Sequence, residues 1–450
     1  MDQTFYHSVR LDKSLCKGCT NCIKRCPTQA IRVRGGKAQI ISERCIDCGE
    51  CVRTCPHHAK KARHDSLSML DSYRYTVALP APALYGQFNH LDDIEIVLRG
   101  LLALGFDHVF EVSRGAEIVS DATRRLMNEG RLKKPVISSA CPAVVRLIRV
   151  RFPDLCEHVL PLKSPMEVAA MLAREEAVKK TGLPPDSIGI FFISPCAAKV
   201  TDVRVPIGIE RSQVDGVLAI SDIYPQLVHK MNHLSETEGE RGEPLAHSGI
   251  IGVSWSSIGG EAAGLLNENH LAADGIENVI KVLEELEDEK LQELDFIELN
   301  ACSGGCVGGI FAAENGYVAR ARIQRLRKYL PVSCNRLQDA GDPERLEWTE
   351  QLEYAPVMSL AGNVEEAMRL MKEIDFICDR LPQLDCGSCG APTCRALAED
   401  VVRGLARESD CIFRMRQEIQ EIASRLVSIE GTVSSGERPE TGKKEGEMPS

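Results

Sequence analysis

Apolar residues occur in short runs between residues 75 and 300, and each run is long enough for one buried strand. β-Branched and aromatic side chains are frequent in these runs, which is typical of strands covered on both faces. The predicted strands are residues 75–79, 109–112, 135–138, 188–194, 217–220 and 296–299. Helical periodicity separates them, for instance over residues 164–178 and 276–291. This alternation predicts an α/β domain with parallel sheets flanked by helices.

A different pattern ends the chain. Ile419, Ile422, Leu426 and Ile429 recur at helical spacing, which predicts an amphipathic helix over residues 413–429. Its apolar stripe has no obvious core to cover, so it suits docking with a partner protein, with a second copy in a homodimer, or with the same chain. Residues 432–450 are rich in Gly, Ser, Glu, Lys and Pro, and we expect them to be disordered.

Charge and length narrow the classes of function. The 450 residues predict about three domains. Asp plus Glu outnumber Lys plus Arg by 65 to 54, a formal charge of −11, which argues against nucleic-acid and anionic-membrane partners. No apolar run reaches the roughly 18–20 residues of a membrane helix. Residues 1–15 are polar and mixed, unlike a signal peptide, so a cytoplasmic location is expected.

The 19 cysteines are clustered, and in a chain with no predicted secretion signal such clusters indicate metal sites rather than disulfides. Eight lie in residues 16–55, four in residues 386–411, and seven are scattered. Among the scattered set, Cys156, Cys334 and Cys378 are interpreted as ordinary non-ligating cysteines.

The N-terminal group forms two matched runs, each closed by a proline: Cys16, Cys19, Cys22 and Cys26, then Cys45, Cys48, Cys51 and Cys55. This is the spacing of bacterial two-cluster ferredoxins, in which the fourth cysteine of each run ligates the other cluster. One predicted [4Fe–4S] cluster therefore takes Cys16, Cys19, Cys22 and Cys55. The other takes Cys26, Cys45, Cys48 and Cys51. A zinc ribbon is the alternative, and the module is expected to carry electrons.

The C-terminal group is Cys386, Cys389, Cys394 and Cys411. A short glycine-containing loop offers three thiolates, and a predicted helix over residues 395–407 brings back the fourth. The run from Cys386 to Cys394, with its glycines, resembles the start of small [4Fe–4S] modules at the ends of redox proteins. A structural zinc site is the alternative.

Three further segments, residues 138–142, 193–199 and 298–309, each end a predicted strand and contain cysteine. Open α/β sheets bind their ligands at strand ends. These loops would therefore bring together four distant cysteines: Cys141, Cys196, Cys302 and Cys306.

The order and internal spacing of these loops resemble the three signature loops of the [FeFe]-hydrogenases, and residues 81–83 and 163–165 resemble two further turns of that family. The resemblance implies an H-cluster, which is a [4Fe–4S] cubane joined to a diiron subcluster with CO, CN and a bridging dithiolate. It implies that Cys141, Cys196, Cys302 and Cys306 hold the cubane and that Cys306 also bridges to the diiron half. Lys199 would hydrogen-bond a cyanide.

Other positions beside the implied cofactor depart from the family pattern. Ala140 replaces a cysteine that delivers protons in catalytic members, Ser194 and Asn300 replace methionines, and Met166 stands where glutamine is common. Residues 116–126 lack the paired glutamates that lead protons to the surface, and contain only Glu117 and Asp121 as acids. Intact ligands with a broken proton path resemble the sensory members of the family, although this chain has no PAS domain.

The sequence thus predicts an H-cluster protein that binds H2, reacts slowly and reports hydrogen or redox state. The alternatives are an ordinary ferredoxin-linked hydrogenase and an iron–sulfur protein without the diiron site, similar to cytosolic assembly factors. The redox partner, a ferredoxin or a signalling protein, is left open. The predicted divisions are a ferredoxin-like α+β domain (1–70), the H-cluster domain (71–372), a small helical [4Fe–4S] domain (373–415), the amphipathic helix (416–431) and the tail (432–450). Three [4Fe–4S] clusters would lie outside the active site.

Overall fold

The computed structural model describes residues 6–234, 243–357 and 359–434. The chain forms two compact units, one ending at residue 357 and the other beginning at Ser359. The first unit contains the N-terminal module and the central domain, and the second contains the C-terminal cysteines. In these ranges, no helix combines the length and apolar character needed to cross a bilayer.

The N-terminal module is the predicted α+β fold. Its strands are β1 (Val9–Leu11), β2 (Ile31–Arg34), β3 (Lys37–Ile40) and β4 (Lys60–Ala62), and its short helices are α1 (Asn21–Lys24) and α2 (Glu50–Arg53). β1 pairs antiparallel with β4, and β2 pairs antiparallel with β3. Aliphatic side chains such as Ile23 and Ile31 pack in one core with Cys16, Cys22 and Cys51. Folding of this module therefore places cysteines in its interior.

Two parallel sheets form the centre of the first unit, which confirms the predicted α/β class. Their strands are β5 (Tyr75–Pro80), β6 (His108–Val109), β7 (Val136–Ile137), β8 (Ile188–Ser194), β9 (Gly216–Ala219), β10 (His270–Asp274) and β11 (Phe296–Asn300). One sheet has the order β6-β5-β8-β9 and the other the order β10-β11-β7. Because each pairing is parallel, the strands of a sheet deliver their following loops to one edge.

Helices surround these sheets, as the periodicity predicted. They are α3 (Ile94–Leu104), α4 (Val112–Asn128), α5 (Pro142–Arg151), α6 (Pro165–Thr181), α7 (Ala197–Arg204), α8 (Ile220–Leu234), α9 (Ile250–Ser254), α10 (Gly260–Gly264), α11 (Ile276–Glu287) and α12 (Gly316–Leu326). Helix α4 approaches α6 closely at Gly115, which has no Cβ atom. A Cβ atom there would lie only 2.5 Å from the Pro165 carbonyl oxygen. This contact fixes the helix whose first turns border the site.

Some predicted bounds differ from the structure, and one strand was not predicted. The helix expected over residues 395–407 ends at Val402. The strand expected over residues 109–112 stops at Val109, and Val112 already begins α4, although Phe110 and Val112 stay buried. Burial alone made this run look like strand. Strand β10 was not predicted, because it is a half-exposed edge strand with little apolar character.

The second unit is helical. It contains α13 (Val364–Arg380), α14 (Cys394–Val402) and α15 (Ile412–Ser434), with a core that includes Ile374, Ile377, Leu397 and Cys411. Helix α15 continues to Ser434, into the segment predicted as a tail, and residues 435–450 lie outside the described residues. The predicted boundary at 372 falls within α13. The domain limits given above stay predictions.

Candidate functional site

The N-terminal module contains two small cavities, each bordered by four cysteines. The first is bordered by Cys16, Cys19, Cys22 and Cys55. The second is bordered by Cys26, Cys45, Cys48 and Cys51. The structure therefore groups the cysteines in the two sets that the spacing predicts. Backbone N–H groups already face some of the sulfurs, with Ala30 N 3.2 Å from Cys26 Sγ and Ala59 N 3.3 Å from Cys55 Sγ. Such N–H donors favour thiolate ligands.

A buried cation borders the first of these cavities. Lys60 is 2% exposed, and in the described part of the chain its Nζ atom has no hydrogen-bond partner. Burying an unpaired ammonium group is costly unless an anion compensates it. A cluster held by four thiolates carries net negative charge, so the donor set and this cation both fit an iron–sulfur cluster.

The central domain holds a larger cavity, in which the three predicted loops meet. Cys141 follows β7 and precedes α5, Cys196 follows β8 and precedes α7, and Cys302 and Cys306 lie in the turn after β11. All four cysteines line this one cavity. The turn is so tight at Gly308 that a Cβ atom there would lie 2.1 Å from the Ser303 carbonyl oxygen. Four thiols from both sheets therefore converge on one point, which fits a cubane.

Burial keeps the thiols of Cys196, Cys302 and Cys306 protonated in the metal-free chain. It raises the pKa of Cys196 to about 12, and it raises the pKa of Cys302 and of Cys306 above the ordinary value. Neighbouring cysteines add to each shift by electrostatic repulsion. Because metals bind the thiolate, loading this site must release protons.

The remaining lining is mostly apolar, with Ala81, Val112, Met166 and Phe192 among its residues. Lys199 is the charged side chain of the lining, and its Nζ atom lies 3.1 Å from an Asp202 carboxylate oxygen. Burial acts to lower the pKa of Lys199, but the neighbouring Asp202, Cys196 and Glu167 together raise it above the ordinary value. Lys199 thus places one positive charge in the lining of the cavity.

The substituted positions divide into two groups. Ala140 and Asn300 line the cavity. Ser194 is buried outside its lining, where its Oγ atom accepts a hydrogen bond from the Cys196 N–H at 3.0 Å and lies 3.2 Å from the Cys196 carbonyl oxygen. Ser194 therefore shapes the second loop through its backbone.

The two acidic side chains of α4 bond to groups outside the cavity lining. Glu117 accepts hydrogen bonds from the backbone N–H groups of Gly249, Cys334 and Asn335. Asp121 pairs with Arg124 at 2.9 Å and accepts from the Leu337 N–H. Both carboxylates anchor loops to α4.

A buried carboxylate pair beside the cavity was not predicted. Ser138 Oγ donates to Glu261 at 2.6 Å, and Asn300 Nδ2 donates to Glu298 at 2.9 Å. Burial raises the pKa of Glu261 to about 8 and that of Glu298 to about 7, and the repulsion of Glu298 adds to the shift at Glu261. The pair therefore holds a proton near neutral pH. An available signal was the acidic Glu298 inside an otherwise apolar strand.

In the second unit, Cys389, Cys394 and Cys411 border one apolar core, which Cys378 also touches. Cys394 begins α14, and its N–H donates to Asp385 at 2.6 Å. Cys386 lies three residues before Cys389 in the same turn-rich segment. This core is compatible with the predicted fourth cluster.

Comparison with protein families gives three matches. The model described as "Iron only hydrogenase large subunit, C-terminal domain" matches residues 74–310. A 4Fe-4S dicluster domain matches residues 8–56, and an iron–sulfur cluster model matches residues 381–413. In sequence order, the hydrogenase-like domain thus lies between two iron–sulfur domains.

Curated relatives include hydrogenases and proteins with other names. The NADP-reducing hydrogenase subunit HndD of Solidesulfovibrio fructosivorans is 22% identical over 67% of this chain and 56% of its own length. Iron hydrogenase 1 of Clostridium pasteurianum is 22% identical over 55% of this chain and 50% of its own. The human nuclear prelamin A recognition factor is 23% identical over 60% and 71%. The chain thus spans about half the length of these hydrogenases.

A solved variant of the [FeFe]-hydrogenase HydA1 from Chlamydomonas reinhardtii aligns with a TM-score of 0.48 at 17% identity, over 63% of this chain and 95% of that one. The family assignment depends instead on the sequence model, which covers more than half of the 450 residues. The chain therefore belongs to the iron-only, or [FeFe], hydrogenase family.

Proposed function

We propose that this protein holds an H-cluster, reacts slowly with hydrogen (H2 = 2 H⁺ + 2 e⁻) and serves as a hydrogen or redox sensor. The observation that carries the proposal is one cavity lined by Cys141, Cys196, Cys302 and Cys306 together with Ala140. When bound, the H-cluster would supply the metal chemistry at which H2 is split or formed. The four cysteines would hold it, Cys306 would join its two halves, and Lys199 would donate to a cyanide.

The slow reaction follows from the residues around that cavity. Ala140 presents a methyl group, which can neither donate nor accept a proton, and the neighbouring lining is largely apolar. A positioned general acid or base typically contributes about 10²–10⁴-fold in rate. Because this cavity lacks such a group, we expect hydrogen turnover to be at least about 10²-fold slower than in catalytic relatives.

The polar side chain Asn300 links the cavity to a buried pair of carboxyl groups. Its amide lines the cavity and donates to Glu298, which is electrostatically coupled to Glu261. Glu261 in turn accepts from Ser138, whose Oγ also accepts the Ala140 N–H at 3.2 Å. We infer that this buried pair stores a proton close to the cavity, in place of the thiol through which catalytic members pass theirs.

Two alternatives compete with the sensor. An ordinary ferredoxin-linked hydrogenase would use the same cofactor at a high rate, and turnover after reconstitution separates it. An iron–sulfur protein without the diiron site is favoured by relatives such as the "Cytosolic Fe-S cluster assembly factor nar1" of Aspergillus flavus, 27% identical over 113 residues. The low identity to named hydrogenases keeps this alternative open.

Infrared spectroscopy tests the proposal directly. Protein reconstituted with the diiron cofactor should show CO and CN stretching bands, which free [4Fe–4S] clusters lack. The control is the same procedure without the cofactor. If the reconstituted protein has no such bands, the H-cluster assignment is wrong and the assembly-factor alternative gains. If bands appear with turnover equal to catalytic relatives, the sensor reading is wrong.

Replacing Ala140 with cysteine should raise hydrogen turnover, because a thiol would face the cavity and could relay protons. We expect a modest gain, since Asn300 and the missing α4 glutamates still limit the remainder of the path. The measurement is hydrogen evolution after reconstitution, with Ala140→Ser as the size-matched control. An unchanged rate would show that proton transfer is limited further from the cavity. A lower rate would contradict the interpretation that the missing thiol limits turnover.

Output of the signal is proposed to use α15. Ile412, Ile419, Ile422 and Leu426 are 52–58% exposed on this helix, and Cys411 precedes it directly. Reduction of a cluster at Cys411 would change how the helix docks with a second copy or with a partner. The exposed stripe supports this because apolar side chains at such spacing favour helix–helix association.

Ending the chain after Arg416 keeps every cysteine and should abolish self-association or partner binding, because most of the apolar stripe is removed. The infrared spectrum and the slow turnover should persist. Light scattering measures the assembly, and Gln420→Glu, which lies off the stripe, is the control in the full chain. Association that survives the truncation would place the output elsewhere.

A further inference from the structure

One side chain of the N-terminal module reaches into the loop that carries two of the central cysteines. Helix α2 contains Cys51, which borders the second small cavity, and two residues later Arg53. The Arg53 guanidinium donates to the Gly308 carbonyl oxygen at 2.8 Å and to a Glu50 carboxylate oxygen at 2.9 Å. Burial raises the pKa of the nearby Cys302 thiol, and the positive charge of Arg53 acts against that shift. A single residue thus connects the two cysteine groups.

Close packing holds this connection in place. Gly49, at the start of α2, has φ of 78°, and a Cβ atom there would lie 2.6 Å from the Ile310 side chain. Ile46 is buried in the core of the central domain, and Cys48 packs against that same core beside Cys141 and Cys196. The second cavity of the module is therefore the one that faces the central cavity.

We propose that Arg53 is a positioning residue: it holds the loop of Cys302 and Cys306 through the Gly308 carbonyl and raises the reduction potential of the cubane at Cys302. It would thereby set the electron balance between the N-terminal module and the central site. This rests on the proposed function only in taking Cys302 as a cubane ligand. Hydrogen bonds to cluster sulfurs and nearby charge are the main means by which a protein tunes such a potential. A cation close to the thiolate stabilises the reduced, more negative cluster.

The arrangement suits arginine specifically. The two terminal nitrogens of the Arg53 guanidinium serve two acceptors on different domains, namely a Glu50 carboxylate and the Gly308 carbonyl, in one planar fork. Lysine has a flexible point charge and cannot reproduce this geometry. Glu50 acts in the opposite sense on Cys302, because its negative charge repels the thiolate. Two neighbouring residues of one helix therefore push the same cluster in opposite directions.

The test measures potentials rather than turnover. In reconstituted full-length protein, redox titration followed by infrared spectroscopy reports the cubane through the CO bands of the attached diiron site. Arg53→Met should shift the cubane midpoint to a more negative potential, and Arg53→Lys should shift it less. Glu50→Gln should shift it to a more positive potential. Arg25→Gln is the control, because Arg25 also pairs across the two domains, but with the Glu277 carboxylate and not with the loop that carries Cys302.

The outcomes are distinct. An unchanged midpoint in Arg53→Met, or shifts of the same sign in Arg53→Met and Glu50→Gln, would overturn the proposal and leave Arg53 a docking contact. If the wild type shows no CO bands, the proposed diiron site fails while this inference is still tested. In that case the same variants are titrated by electron paramagnetic resonance of protein that carries only [4Fe–4S] clusters, with the same signs expected.

Discussion

Replacing Cys306 with alanine should eliminate the CO and CN infrared bands of reconstituted protein and reduce hydrogen turnover to background. The reason is local, since only one thiolate is expected to bridge the two halves of the cofactor. The other predicted clusters take their ligands from separate segments, namely the two N-terminal cavities and the second unit. Iron content should therefore stay near that of three cubanes.

A matched control sharpens this result. Cys334 is an exposed cysteine that does not line the central cavity, and its own contact to Glu117 is made by its backbone N–H. Cys334→Ala should leave the bands and the turnover unchanged. Hydrogen chemistry retained in Cys306→Ala, or lost equally in Cys334→Ala, would contradict the ligand assignment.

The convergence of the three loops was predictable because it depends on chain topology. Parallel strands end at one edge, so cysteines placed just after β7, β8 and β11 meet wherever the sheets pack. The same holds for the N-terminal runs, where the spacing within a loop limits which sulfurs can share a cavity. Local spacing and strand direction are both properties that a sequence expresses directly.

Side-chain direction and long-range pairing were not predictable in the same way. Ser194 occupies a predicted site position, yet its hydroxyl bonds to the Cys196 backbone and leaves the cavity lining. The proximity of Glu261 to Glu298 joins α10 to β11, and the hydrogen bond from Arg53 to the Gly308 carbonyl joins two domains. Each depends on the packing of distant elements, which no local pattern reports.

The carboxylate pair leads to the second large expected effect. Glu298→Gln should reduce hydrogen turnover by about 10²-fold or more, because an amide cannot take the proton that a general acid or base transfers. The CO and CN bands should persist, since Glu298 is not a cysteine ligand. Glu261→Gln should act similarly, and it should remove the infrared C=O stretch of a protonated carboxyl that we expect in the wild type at neutral pH.

The same pair predicts the sign of a stability change with pH. Both pKa values are raised by burial, from 4.5 to about 8 for Glu261 and to about 7 for Glu298. The folded state therefore binds more protons than the unfolded state across this window, so the contribution of the pair is full below pH 4.5 and is lost as the pH rises through 7 and 8. The thermal midpoint should fall over that range in the wild type and fall less in Glu261→Gln.

Glu129→Gln is the control for both measurements, because Glu129 is an exposed acid at the end of α4 whose pKa is lowered by Arg125. It should leave turnover unchanged and should not flatten the pH dependence as Glu261→Gln does. Wild-type turnover in both Glu261→Gln and Glu298→Gln would show that protons bypass the pair. The polar chain from Asn300 to Ser138 would then serve only to hold the first and third loops together.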